Sequence, residues 1–316
     1  MPEIYVTLFD SLFLPQGLAL YTSLCRHSHP FRLYVVCLDH SLYNFILKLQ
    51  YPDIYPLLLS DFETPLLQSL ASSRSRAEYC WTLTPHSIDW VFTLDPSFDR
   101  VTYLDADTFL LKSPKSILDD FDYSDKSFLV TEHAYAPDMD QTLTSGRFCV
   151  QFITVKKGSG LAPLHWWRNK CIDQCSSSPT NGLFGDQTYL EELCYLFEND
   201  VLNLSNDPRF LGPWNTSIYR YSDAVIYHFQ GFRILPFKKF LLCKSSLIPQ
   251  PVISYVYMPY IQLLKELEQI HFGQGFLLRA QQSLTFSLFL RILFSLILSP
   301  LFTILSKLKR LALIAS

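Results

Sequence analysis

Val101-Thr-Tyr-Leu-Asp-Ala-Asp-Thr-Phe-Leu-Leu111 carries an apolar run into two carboxylates, one residue apart, and out again. Val101, Tyr103 and Leu104 read as the end of a buried strand, because β-branched and aromatic residues fill a pleated core layer. Asp105 and Asp107 then stand where the strand finishes. Burying an unpaired carboxylate is costly, or it shifts the pKa until the group is neutral. A hard divalent cation, Mn²⁺ or Mg²⁺, relieves that cost by taking carboxylate oxygens while keeping positions for water and phosphate. At the carboxyl end of a strand in an open α/β sheet, such an ion lies in the crevice where ligands bind. The plainer alternative is a strand end with two solvated acids, and the tripeptide alone leaves both open.

The flanking sequence predicts the sheet. Strands are expected near Ile4–Phe9, Phe31–Leu38 and Tyr55–Leu59, with helices near Pro15–Cys25, Ser41–Leu49, Leu66–Leu83 (carrying Arg74, Arg76 and Glu78) and Ile88–Phe92. Strand alternating with helix is the pattern of a mostly parallel sheet with helices on both faces. The first strand ends at Asp10, the second at Asp39 and a later one at Asp105 and Asp107. In a doubly wound sheet these ends share one rim, although a lone Asp there is more often a cap or turn former. No glycine cradle follows the first strand, so a bound diphosphate would need the ion at Asp105 and Asp107, helped by a cation such as Arg76.

Downstream, Arg147-Phe-Cys-Val-Gln-Phe predicts an antiparallel edge strand, and Leu164–Cys175 a helix. Phe184-Gly-Asp-Gln places Asp186 and Gln187 at a helix start, and Leu211-Gly-Pro-Trp-Asn is a loop. The strand Val225-Ile-Tyr-His ends in His228, followed by Gly231. An imidazole at a strand end can complete a metal site begun by two carboxylates.

Composition narrows the class. In 316 residues, 49% hydrophobic and 17% charged, a large core is available. A formal net charge of −3 gives no case for nucleic-acid binding. The eight cysteines, without a Cys-x-x-Cys pair, suit a reducing compartment better than a disulfide framework.

Taken in order, Glu78-Tyr-Cys-Trp-Thr-Leu-Thr-Pro, Tyr103-Leu-Asp-Ala-Asp, Gly146-Arg-Phe, Trp166-Trp-Arg, Phe184-Gly-Asp-Gln, Gly212-Pro-Trp-Asn and His228-Phe-Gln-Gly-Phe resemble the bacterial nucleotide-diphospho-sugar transferases of GT-A fold, akin to glycosyltransferase family 8. The resemblance covers about residues 1–240. It implies that Asp105, Asp107 and His228 hold Mn²⁺ on the diphosphate of a nucleotide sugar. It implies that Gly231 closes over the phosphates, and that Arg233 stands in for a lysine the family carries where this chain has Ile234. Thr7 and Asp10 fall at the nucleoside; Asp186 and Gln187 fall at the transferred sugar and the reaction centre. Asp39, at the second strand's end on the same rim, is counted with the nucleotide-sugar-binding residues from its position alone. Relatives of this kind tend to read Arg-Phe-Asn-Val-Gly-Phe where this chain has Cys149 and Gln151. That departure keeps a non-catalytic, transferase-like binding or scaffold protein as the alternative.

Three segments are expected: a GT-A domain at 1–245, a linker and short helix at 246–282, and a hydrophobic helical tail at 283–316. From Leu284 to Ser306 only Arg291 is charged, and Lys307, Lys309 and Arg310 follow. Pro300 interrupts the run, and a polar stripe recurs every fourth residue. The tail therefore reads as a helix lying on anionic lipid. The expected location is cytoplasmic, on the inner face of the membrane, with a nucleotide-sugar donor and a glycan or lipid-linked acceptor as partners.

Overall fold

A computed structural model describes residues 2–178, 183–243 and 247–271. Its centre is a seven-stranded sheet of order β3-β2-β1-β4-β7-β6-β8. The strands are β1 (Glu3–Phe9), β2 (Phe31–Cys37), β3 (Ile54–Leu58), β4 (Arg100–Leu104), β6 (Phe128–Glu132), β7 (Phe148–Lys156) and β8 (Val201–Leu204). Only β7 runs against the rest; it pairs antiparallel with both β4 and β6. The small sheet β5-β10-β9 is built from β5 (Thr108–Leu110), β9 (Phe210–Leu211) and β10 (Ile226–His228).

Nearly every residue of β1, β2, β4, β6 and β7 is buried. Strands covered on both faces read as continuous apolar runs, and these do. Alternate side chains feed two cores. Tyr5, Phe9, Leu33, Val35 and Phe152 pack on one face beneath α1 (Leu14–His27) and α2 (His40–Leu49). Val6, Leu8, Val36, Tyr103 and Ile153 pack on the other with α4 (Arg76–Leu94) and α7 (Leu161–Asp173). Further helices are α3 (Pro65–Ser73), α5 (Lys115–Tyr123), α6 (Thr142–Ser145), α8 (Tyr189–Leu196), the single turn Gln250–Val252 and the helix Met258–His271.

Three expectations are revised. The single helix over Leu66–Leu83 is two, α3 and α4, because Ser75 starts a new helix with a capping box. Its hydroxyl accepts from the Glu78 N–H, and the Glu78 carboxylate accepts from the Ser75 N–H at 2.8 Å. Ile88–Phe92 continues α4 through Pro85 and is no separate helix. The strand at Arg147 lies inside the sheet, not at its edge. The short helix expected over Tyr260–Phe272 is present as Met258–His271, and residues 250–271 pack into the first core through Val252, Tyr257, Tyr260, Leu264 and Leu267. The tail assigned to 283–316 lies outside the described residues. Among those described, no helix is long and apolar enough to cross a membrane.

Helix α1 sits close on β1 because Gly17 has no side chain. A Cβ built there would come within 2.2 Å of the Phe9 ring, which is 4% exposed and has no room to move. Alanine at an interior helix position gains about 1 kcal/mol over glycine. Overpacking a core costs about 1–3 kcal/mol, and more where the neighbour is pinned. Gly17→Ala is therefore expected to destabilise the protein by about 1–2 kcal/mol in urea unfolding, the reverse of its helix propensity.

Candidate metal and nucleotide-sugar site

The end of β4 is brought to β10 by the turn after Asp105 and the short strand β5. After Asp105 the chain turns sharply: the Asp105 carbonyl accepts from the Thr108 N–H at 3.0 Å and from the Thr108 hydroxyl at 2.7 Å. That turn sends the chain into β5, which pairs antiparallel with β10 so that Thr108 faces His228. The Phe229 N–H donates to the Asp107 carbonyl at 2.8 Å and locks the register. Residues 121 positions apart are thus neighbours. His228 Nε2 lies 3.1 Å from Asp107 Oδ1 and 3.7 Å from Asp105 Oδ2. One ligand atom from each of the three can be chosen so that all lie within 4.8 Å of one another.

This trio lines a cavity of about 770 Å³ that Asp10, Arg76, Asp186, Gln187, Gly231 and Arg233 also line. Its electrostatics are unbalanced. Burial would raise the Asp107 carboxyl, but the His228 imidazole outweighs it and holds it low. Burial would lower the imidazole, and Asp107 overrides that to raise it well above the usual histidine value. Asp105 gains less. Burial pushes its pKa up to about 7, with the Asp107 charge adding to the rise and His228 opposing it. Asp186 is 4% exposed, its Oδ2 has no partner among the described protein groups, and burial plus the Asp105 charge raise it to about 8. Two carboxylates and one imidazole that converge on one point at the cavity are the donor set that a hard divalent ion takes. The residues present therefore fit Mn²⁺ or Mg²⁺.

The other expected residues divide. Gly231 holds φ +78°, a left-handed turn beside the cavity. Arg233 lines the wall, its guanidinium 5.7 Å from the Phe13 ring, and its charge helps hold Asp107 low. Gln187 donates its amide to the Ser145 carbonyl, which turns its own carbonyl oxygen away from that contact. Asp186 and Gln187 lie in the turn before α8 and not in its first turn. Asp10 is held by the fold: Oδ1 accepts from the Leu12 and Phe13 N–H groups at 2.8 and 3.1 Å, and Oδ2 pairs with Arg76 at 2.6 Å. Arg76, 63% exposed along its side chain, is thereby tethered at the rim.

Two residues fall elsewhere. Thr7 is fully buried in mid-strand and does not line this cavity. Asp39 caps α2, accepting from Leu42 N–H at 2.8 Å, and accepts from Ser11 N–H at 2.8 Å with its second oxygen. It lines a smaller neighbouring cavity of about 370 Å³ that shares Leu38, Arg76 and Cys80 with the first. A strand-end Asp whose two oxygens serve a turn and a cap is positioned by the local backbone.

Sequence reasoning passed over Tyr103, whose hydroxyl donates to Asp105 at 2.9 Å, and the aromatic group behind His228. His133 stacks on Tyr135 at 4.6 Å, and Trp214 meets the rings of His133 and His228 edge-on at 4.9 and 5.4 Å. Tyr103 was findable from strand alternation, two residues before Asp105; the His133 group needs three distant segments to meet.

No family model matches the chain. Two curated relatives from Bacillus subtilis (strain 168), the uncharacterized proteins YfnF and YfnD, are each 29% identical, over 256 and 259 residues. The alignments cover 74% and 77% of this chain and 83% and 82% of the relatives. Among solved structures, the glycosyltransferase GlyE of Streptococcus pneumoniae TIGR4 superposes with a TM-score of 0.52 at 16% identity, covering 90% of this chain. The match spans 66% of the GlyE chain, just under two thirds of its length. Likeness at that identity concerns architecture. With its one antiparallel strand beside β4, its Asp-x-Asp at the β4 end and its backbone shared with GlyE, the chain has the GT-A fold and resembles the nucleotide-diphospho-sugar transferases built on it.

Proposed function

We propose that this protein is a metal-dependent glycosyltransferase. It moves a sugar from a nucleotide-diphosphate donor, a UDP-sugar, to a glycan or lipid-linked acceptor in polysaccharide or lipopolysaccharide synthesis. The observation that carries the reading is the Asp105, Asp107 and His228 cluster opening on a cavity large enough for such a donor. When bound, a divalent ion there supplies positive charge to a leaving diphosphate, the main electrostatic demand of the transfer.

The chain's own residues prepare the rest. Arg233, on the cavity wall, adds fixed positive charge, and the left-handed turn at Gly231 lets backbone approach a phosphate without a side chain between. Gln187, its NH₂ already given to Ser145, keeps a carbonyl oxygen with which to stabilise positive charge developing at the anomeric carbon. Asp186 carries its proton near neutral pH, so it can donate to a sugar hydroxyl in a site that otherwise accumulates carboxylates. The acceptor hydroxyl attacks the anomeric carbon as the bond to the diphosphate breaks.

Asp107→Ala is expected to keep the fold and to lower sugar transfer from a UDP-sugar, assayed with Mn²⁺, by at least about 10²-fold. Undiminished transfer in that variant overturns the reading. A panel of nucleotide sugars screened by thermal shift with Mn²⁺ identifies the donor, since binding raises the melting temperature by mass action.

Asp186→Asn is expected to stabilise the protein while slowing transfer. The folded-state pKa of Asp186, about 8, lies above the ordinary carboxyl value of 3.8, so folding binds a proton between those values. Stability then falls as pH rises from about 4 to about 8, and the loss is complete above that. The asparagine variant should match the parent near pH 4 and exceed it progressively as pH rises, by on the order of 5 kcal/mol at pH 8. The lipid-linked acceptor rests on the sequence of the tail: deleting residues 283–316 should shift the protein from membrane to cytosolic fractions, and an unchanged distribution would remove the anchor from the proposal.

A further inference from the structure

The far side of His228 holds a second contact. Cys149, on β7 and 2% exposed, places its sulfur 3.7 Å from His228 Nδ1, while both carboxylates lie at Nε2. The sulfur therefore faces the ring nitrogen away from the ion, where it cannot share the ligand set with Nε2. His133 also lies within interaction range of the thiol. The Nδ1 of His133 faces the Arg147 carbonyl at 3.3 Å. A carbonyl only accepts, so that Nδ1 bears a proton. The Cys149 sulfur lone pair can accept Nδ1–H from His228. With Nδ1–H held there, Nε2 is the ring atom left facing Asp105 and Asp107 and free to exchange its proton for a cation. Stacking on Tyr135 and the edge of Trp214 hold the His133 ring, and the Trp214 N–H donates to the His133 carbonyl at 2.6 Å.

We infer that Cys149 is a positioning residue of the metal centre, holding the His228 ring in the tautomer and orientation that present Nε2 to a divalent cation. The inference rests on the metal-site reading above. Partners of a ligating imidazole fix its tautomer, and their loss typically costs about 10–100-fold in metal affinity. The sulfur contact also explains why this buried position holds a cysteine: the thiol is at once small enough for the strand interior and able both to donate and to accept.

The test measures Mn²⁺ binding to the purified full chain by electron paramagnetic resonance, with no nucleotide present, for the parent and for Cys149→Ala, Cys149→Val, Cys149→Ser and His228→Ala. Pulsed spectra report the nitrogen modulation from a ligating imidazole, and thermal unfolding without metal reports the fold. The alanine and valine variants should bind about tenfold more weakly or worse, with reduced nitrogen modulation. The serine variant, whose oxygen also donates and accepts, should recover most of both. Valine fills the thiol's space without an acceptor, so it answers the question if alanine fails to fold. Parent-like affinity and modulation in the alanine or valine variant, together with loss in His228→Ala, overturn the role of Cys149 alone. Parent-like Mn²⁺ binding in His228→Ala, or none by the parent below millimolar Mn²⁺, overturns the metal site itself and this inference with it.

Discussion

Carboxylates withdrawn from water are the constraint on which this molecule turns. Asp105 and Asp107 sit where a buried strand gives way to a tight turn, their side chains only 28% and 18% exposed at the cavity and close to a single imidazole. His228 offsets part of the deficit, mainly at Asp107, and Asp105 and Asp186 hold protons that ordinary carboxyls would have lost. A site that crowds carboxyls until two of them keep their protons is primed for a cation, and groups perturbed in this way concentrate at functional sites.

The fold supplies that rigidity by register. β4 stops one residue before Asp105, the Asp105 carbonyl closes the turn, and β5 hands Thr108 to β10 opposite His228. Five residues of β4 pair with β7 on one side, and β1 pairs on the other. A slip of one residue in any of these pairings would turn the carboxylates to the opposite face. The metal-ligand geometry is thus a consequence of the sheet, and the cores on its two faces, from Phe9 and Phe152 to Tyr103 and Ile153, act on the site by holding that register.

Much of this was legible in the chain because strands speak locally. The runs ending at Asp10, Asp39 and Asp105 announce a parallel sheet and its binding rim, and the His228 strand end stands out for the same reason. What the sequence hid depends on non-local packing or on one-residue capping chemistry. Ser75 breaks a helix that periodicity joins, and β7 occupies the middle of the sheet although its pattern says only that it is a strand. Thr7 lies near a strand end that reaches the rim, yet it is buried inside the strand, and Asp39, on the rim, spends both oxygens on backbone N–H groups. The Cys149 contact was visible only as an unusual residue. That its sulfur backs His228 requires β7 and β10 to be placed together.

The account makes its most exposed claim about one ion. Crystals of the full chain soaked in Mn²⁺ and UDP, with anomalous data collected at the manganese edge, measure it directly. The account predicts a single strong peak about 2 Å from a carboxylate oxygen of Asp105, from one of Asp107 and from His228 Nε2. No peak there, or manganese bound elsewhere with this trio left paired to itself, would contradict it.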